Sequence, residues 1–269
     1  MKNGLLIAAM GRTESTNMSQ TSNGALVVFG ATGSVGSALA RRLSKLERPL
    51  VLAARDATEL SPLAAELNAE QVLLDACEAG AIENCIEATT EKFGGVLGIA
   101  NCVGSILLKP AHNTSYEEWN DILTTNLTSS FSVVRAAGKA MRTSGGSVVL
   151  VSSAAAGVGT PNHEAIAAAK AGVEGLVRSA AATYANRGIR FNAVAPGLVK
   201  SKMTRKLWES AAAAAQSCDM HPLRRLGEPD EVAAAIAWLL DPAHSWITGQ
   251  VLAVDGGLSN VLPRRQVKA

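Results

Sequence analysis

The stretch 25-ALVVFGATGSVGSALARRL-43 decides the fold. It opens with an unbroken apolar run, Ala25 to Phe29, that stops at Gly30. Glycines return at 33 and 36, and a helical pattern then continues through Leu46. A run that does not alternate apolar with polar residues suits a parallel strand buried on both faces. Glycines three apart, between a strand and a helix, permit a tight turn and close backbone approach to a pyrophosphate. The free N–H groups of the helix N-terminus then face that anion. Glycine-rich turns are common in α/β folds, so position matters. Between a first strand and a first helix, Gly30, Thr32, Gly33, Ser34, Val35 and Gly36 are candidate dinucleotide-binding residues.

The same alternation continues along the chain. Apolar runs recur at PLVLAAR (49–55), EQVLLD (70–75), VLGIANCVG (96–104), GGSVVLVSS (145–153), IRFNAVAPG (189–197) and GQVLAVDGG (249–257). Helical stretches separate them, including one from about His163 to Asn186 and one opened by Glu228-Pro229-Asp230. Proline at a first helical position beside acids is a common helix start. Seven runs with short helical links predict a doubly wound, seven-stranded parallel sheet of Rossmann type flanked by helices on both faces. No Pro/Gly linker or charge block divides residues 24–262, so one domain is expected. Residues 1–23 read as a flexible N-terminal extension rather than a targeting peptide, and 263–269 as a tail.

Composition narrows the function. Hydrophobic residues make up 48% and charged residues 18% of 269, enough for a sizeable core. A net charge of +2 and 4% aromatics give no surface for nucleic acid or an anionic membrane. No apolar run approaches the ~18 residues of a membrane span. Cys77, Cys85, Cys102 and Cys218 form neither a CxxC pair nor a zinc spacing. They read as incidental thiols of a reducing, cytoplasmic compartment, with no metal site.

The second run ends at Ala54-Arg55-Asp56. A carboxylate at that strand tip would take the ribose 2′-hydroxyl of NAD. Alanine stands there, and Arg55 follows with a planar fork suited to a 2′-phosphate. NADP is therefore expected over NAD, with Asp56 as the residue that still allows the alternative.

Taken together, residues 25–258 resemble the short-chain dehydrogenase/reductase family. Asp75 ends the third run, as does the aspartate which that family places near the adenine. Asn101-Cys102-Val103-Gly104 resembles its Asn-Asn-Ala-Gly motif, and Asn126 matches its tetrad asparagine. Ser153 matches the catalytic serine and Lys170 the lysine, which in the family also holds the nicotinamide ribose. Asn192 to Gly197, with Pro196 and Gly197 at its end, matches the segment over the nicotinamide. Ser201 stands where a threonine often meets the carboxamide. PLRRLGEPDEVA (222–233) and TGQVLAVDGG (248–257) resemble the C-terminal signature. The resemblance implies a small-molecule substrate and a homodimer or homotetramer packed through the helices near 115–140 and 163–186.

Two positions depart from the family. The glycines are spaced GxxGxxG, with Ser34 where the mainstream branch wants glycine. More seriously, the YxxxK position reads IAAAK: Ile166 replaces the tyrosine in an intact frame, thirteen residues after Ser153. An alkoxide formed by hydride delivery needs a proton, and isoleucine has none to give. His163, seven residues before Lys170, is a candidate replacement acid if it shares the helix face. It is equally placed to be a loop or capping residue. Two functions follow as expectations. One is an NADP-dependent reductase of a small or medium carbonyl or activated alkene with an altered proton donor, its substrate apolar to match Met203, Leu207, Trp208 and Met220. The other is a catalytically silent NAD(P)-binding protein acting as sensor or oligomer subunit.

Overall fold

The computed structural model describes residues 24–262; the expected extension and tail lie outside the described residues. All seven apolar runs form strands: β1 (Ala25–Phe29), β2 (Leu50–Ala54), β3 (Glu70–Leu73), β4 (Val96–Asn101), β5 (Gly146–Val151), β6 (Ile189–Pro196) and β7 (Val251–Val254). Each neighbouring pair is parallel, in the order β3-β2-β1-β4-β5-β6-β7. The helices are α1 (Ser34–Leu43), α2 (Ala57–Leu67), α3 (Ala81–Phe93), α4 (Tyr116–Leu123), α5 (Ser129–Ala140), α6 (Glu164–Tyr184), α7 (Ala211–Met220) and α8 (Pro229–Leu240).

Successive strand residues face opposite sides of a sheet, and here both sides are covered. Val27 and Phe29 of β1 join α3, α5 and α6 in one core. Leu26 and Val28 join α1, α2 and α8 in the other. β1 and β2 are therefore apolar at every position. β3 and β7 differ from that expectation. Leu73 is 61% exposed and Leu252 37%, because these strands end the sheet and each has a neighbour on one side only.

Several strands are shorter than their apolar runs. Gly145, Gly249 and Gly256 take positive φ values and turn the chain at the borders of β5 and β7. β4 ends at Asn101, whose side chain accepts from the Val103 N–H at 3.2 Å. The helix expected before β5 is interrupted. Ser115 and Glu118 cap α4 reciprocally, but a π turn over Thr124–Thr128 separates α4 from α5. Such turns often accompany functional positions, and this one carries Asn126.

The topology places the site. β1 has β2 on one side and β4 on the other, so successive connections leave it in opposite directions. A crevice opens at the carboxyl ends of the strands at such a switch point. Phe29 pairs with Asn101 across it, which sets Gly30 beside Cys102.

Candidate active site

The glycine turn is shaped by close approach. Gly30 has φ +71°, and a Cβ there would lie 2.8 Å from the Cys102 carbonyl carbon and the Val103 nitrogen. A Cβ on Gly36 would lie 2.2 Å from the Gly30 carbonyl oxygen. Gly33 precedes α1 without a side-chain cap, and the first turn holds no acid. The leading N–H groups of a helix lack intrahelical partners, so this end of α1 is a fitting cradle for a pyrophosphate. Thr32 and Val35 are half-buried in the turn. The Ser34 hydroxyl, at the departure from the family spacing, accepts from the Lys202 N–H at 3.4 Å.

At the tip of β2, Arg55 projects into solvent, 75% exposed, with its guanidinium 3.7 Å from Asp75. Asp75 also accepts from the Cys77 N–H at 2.9 Å. Asp56 is engaged otherwise. It is the N-cap of α2 and accepts from the Thr58 hydroxyl at 2.6 Å and the Thr58 N–H at 2.8 Å. Those bonds hold its carboxyl below the usual carboxylate range.

Around the end of β4, buried amides fix the loop. Asn101 donates to Ser129 at 3.4 Å and Ser130 at 3.3 Å. Asn126, fully buried, donates to the Ser105 hydroxyl at 3.1 Å and to the Ile122 carbonyl at 3.0 Å. Its Oδ1 accepts from the Ser105 N–H at 3.2 Å. A Cβ on Gly104 would lie 3.1 Å from that Oδ1 and 3.7 Å from the Lys170 Nζ. The asparagine and the lysine, 44 residues apart, thus meet at one glycine. Ser105 was not legible as a partner in the sequence; only its place after Gly104 hinted at it.

Lys170 is 6% exposed and donates to the Val151 carbonyl at 2.8 Å. Burial lowers its pKa to about 8, partly opposed by the Cys102 sulfur. Burial likewise pushes the Cys102 thiol up to about 12, with Lys170 opposing. Ser153, two residues after Val151, has its hydroxyl accepting from the Ala155 N–H at 3.2 Å. Ile166 is 4% exposed in an apolar cluster with Ile122, Ala165 and Ala169, against which Leu107 and Trp119 pack. Neither tyrosine belongs to this cluster. Tyr116 is 89% exposed at the start of α4, and Tyr184 packs on Gly138 and Phe191. His163 is the residue before α6 rather than within it. Its Nδ1 lies 2.7 Å from the Pro161 carbonyl, which can only accept, so Nδ1 carries a proton and Nε2 is the free ring atom.

β6 ends at Pro196, and Gly197 leads into a flap that spans 198–221. Gly197 is held against His221: a Cβ there would lie 2.7 Å from His221 Nε2. That Nε2 accepts from the Leu198 N–H at 3.1 Å, while Nδ1 donates to the Ser217 carbonyl at 2.8 Å. His221, 2% exposed, therefore ties the flap's base to α7; nothing in the sequence signalled it. The Ser201 hydroxyl is 3.0 Å from the Thr204 hydroxyl, which donates to the Val199 carbonyl at 2.6 Å. Among the described residues no cluster of His, Cys, Asp and Glu could hold a metal ion, and no helix is long and apolar enough to cross a membrane.

Known proteins resemble this chain in sequence and fold. A family model described as enoyl-(acyl carrier protein) reductase matches residues 30–259. The 3-oxoacyl-(acyl-carrier-protein) reductase of Vibrio cholerae is 33% identical over 86% of this chain and 96% of its own length. The galactitol 2-dehydrogenase of Cereibacter sphaeroides is 36% identical over 86% and 92%. Among solved structures, a short-chain type dehydrogenase/reductase from Mycobacterium ulcerans superposes with a TM-score of 0.84 at 26% identity, covering 87% of this chain and 89% of that one. A variant of actinorhodin polyketide ketoreductase with NADPH gives 0.82 at 30% identity, covering 88% and 98%. With the switch-point crevice, the glycine cradle and relatives along most of its length, the chain belongs to the short-chain dehydrogenase/reductase family of oxidoreductases.

Proposed function

We propose that this chain is an NADP-dependent reductase of a small or medium carbonyl or activated alkene, working in a cytoplasmic compartment with an altered proton donor. The meeting of Asn126 and Lys170 at Gly104, beside the Gly30 turn, carries the reading: cradle and polar side chains share one crevice. The uncapped α1 and the glycines would hold the pyrophosphate, Asp75 the adenine side, and Lys170 the nicotinamide ribose. Pro196, Gly197 and Ser201 would cover the nicotinamide face. Bound there, NADPH supplies the hydride. Ser153 orients the acceptor oxygen, and Asn126 holds the Ser105 loop in place.

Three observations support the finer points. Asp56 spends its Oδ1 on capping α2, which leaves only Oδ2 for the 2′-hydroxyl of NAD, whereas Arg55, 75% exposed, is open to a 2′-phosphate. The wall around Ile166 is apolar, which suits an apolar substrate and, above all, an activated alkene. Its enolate can take a proton from water at carbon, without a phenol. Ala168 and Ala171 face outward and Gly175 meets nothing within 4 Å, leaving a smooth face on α6 for a second copy. Gly172 is excluded from that face, because Leu127 of the same chain fills the space at 2.8 Å.

The absence of a tyrosine at the site gives the silent reading its one specific support. NADPH oxidation against a panel of ketones and enones decides between the two. Enone turnover exceeding ketone turnover is the expected result. Ile166→Tyr should then raise ketone reduction by about 10²–10⁴-fold, the usual worth of a general acid. Loss of turnover in His163→Ala would assign the proton to Nε2 of that ring. NADPH binding without turnover of any panel member would establish the silent reading.

A further inference from the structure

Lys202 follows Ser201 in the flap and reaches the first turns of both α1 and α2. Its N–H donates to the Ser34 hydroxyl at 3.4 Å, on the first residue of α1. Its ammonium pairs with Glu59 in the first turn of α2. Its charge also acts on Asp56, adding to the Thr58 hydrogen bonds that dominate there. Asp56 is the neighbour of Arg55, the residue assigned to the 2′-phosphate. Lys202 is 74% exposed and Glu59 44%, so their pair is a weak one in water.

Charge makes this lysine more than a strap. The open end of the cleft presents two cations, Arg55 and Lys202, against three carboxylates, Asp56, Glu59 and Asp75. Lys202 cuts the net charge of this group from −2 to −1, so without it a dianionic phosphate would enter a more strongly negative field, with Arg55 already drawn towards Asp75. A phosphate offers a stronger, charge-assisted partner to the ammonium than an exposed carboxylate does. Because Lys202 belongs to the flap, its choice of partner also sets where the flap sits.

We propose that Lys202 is a second cation for the 2′-phosphate of NADP, held in reserve by Glu59 and transferred when the phosphate enters, so that the phosphorylated coenzyme itself draws the flap closed. The inference rests on the NADP reading above. By linkage, whatever favours the closed flap favours the phosphorylated coenzyme over the unphosphorylated one.

Calorimetric titration of NADPH and NADH into wild type, Lys202→Gln and Glu59→Gln tests it, with tryptic cleavage at exposed Arg205 and Lys206 reporting the flap. Lys202→Gln should weaken NADPH by about tenfold, the size of one charge-assisted contact, and leave NADH within about twofold. Glu59→Gln should tighten NADPH, because it frees the lysine and removes a repelling charge. NADPH, and not NADH, should slow tryptic cleavage of the wild-type flap. A purely structural strap gives another pattern: both variants shift in the same direction and act equally on the two coenzymes, which would overturn the proposal. Wild-type preference for NADH, or binding of neither coenzyme, would instead remove the cofactor reading itself and the inference with it.

Discussion

Lys170→Met should abolish a pH dependence of stability that the wild-type chain carries. The ammonium is buried at 6% exposure, donates to the Val151 carbonyl and has no ion pair among the described residues. Burial, with Cys102 opposing, lowers its pKa from 10.5 to about 8. The unfolded chain keeps the ordinary value. Between those two values the unfolded state binds more protons than the folded one, so stability rises with pH through this window. At about 1.4 kcal/mol per pH unit, the full gain is about 3 kcal/mol, of which about 2 is realised between about pH 7.5 and about pH 10. Methionine keeps the unbranched stem and drops the charge. It leaves the Val151 carbonyl unpaired, at about 1–3 kcal/mol, but that cost is independent of pH. Urea unfolding of both proteins, at one protein concentration across this range, gives the difference directly. Other titrating groups cancel in it. A wild-type-minus-variant difference that stays flat with pH would refute the buried ammonium and, with it, the account of why the site holds a lysine in tension with its own burial.

The glycine cradle makes a steric prediction: Gly36→Ala places a Cβ 2.2 Å from the Gly30 carbonyl, so the turn must shift, and dinucleotide binding measured by calorimetry should fall by more than about tenfold. Arg55→Ala should reduce the NADPH-to-NADH affinity ratio by about tenfold to a hundredfold, since a charge-assisted pair is worth about 1.5–3 kcal/mol; an unchanged ratio in the same titration would remove Arg55 from the phosphate site. Ser115→Ala should cost about 1 kcal/mol in a denaturant melt by deleting the capping box of α4.

The local pattern of the chain determined the elements and their class. Seven apolar runs and the glycine turn were enough, because burial on both sheet faces demands apolar residues at successive positions and a tight strand-to-helix turn demands glycine. Glu228-Pro229-Asp230 marked the start of α8 to the residue, since capping is a local interaction. Other features depended on residues distant in sequence. That β3 and β7 lie at the edges, and so expose Leu73 and Leu252, follows from strand order, which no single segment encodes. The π turn at Thr124–Thr128 accompanies Asn126's bonds to Ser105, 21 residues earlier. His221 and Lys202 carried no signal, because each acts by reaching across the fold, to Leu198 in one case and to Ser34 and Glu59 in the other. Spacing along a chain reports what neighbours in sequence must do. Which distant carboxylate, amide or imidazole meets a given side chain is decided only when packing brings the elements together.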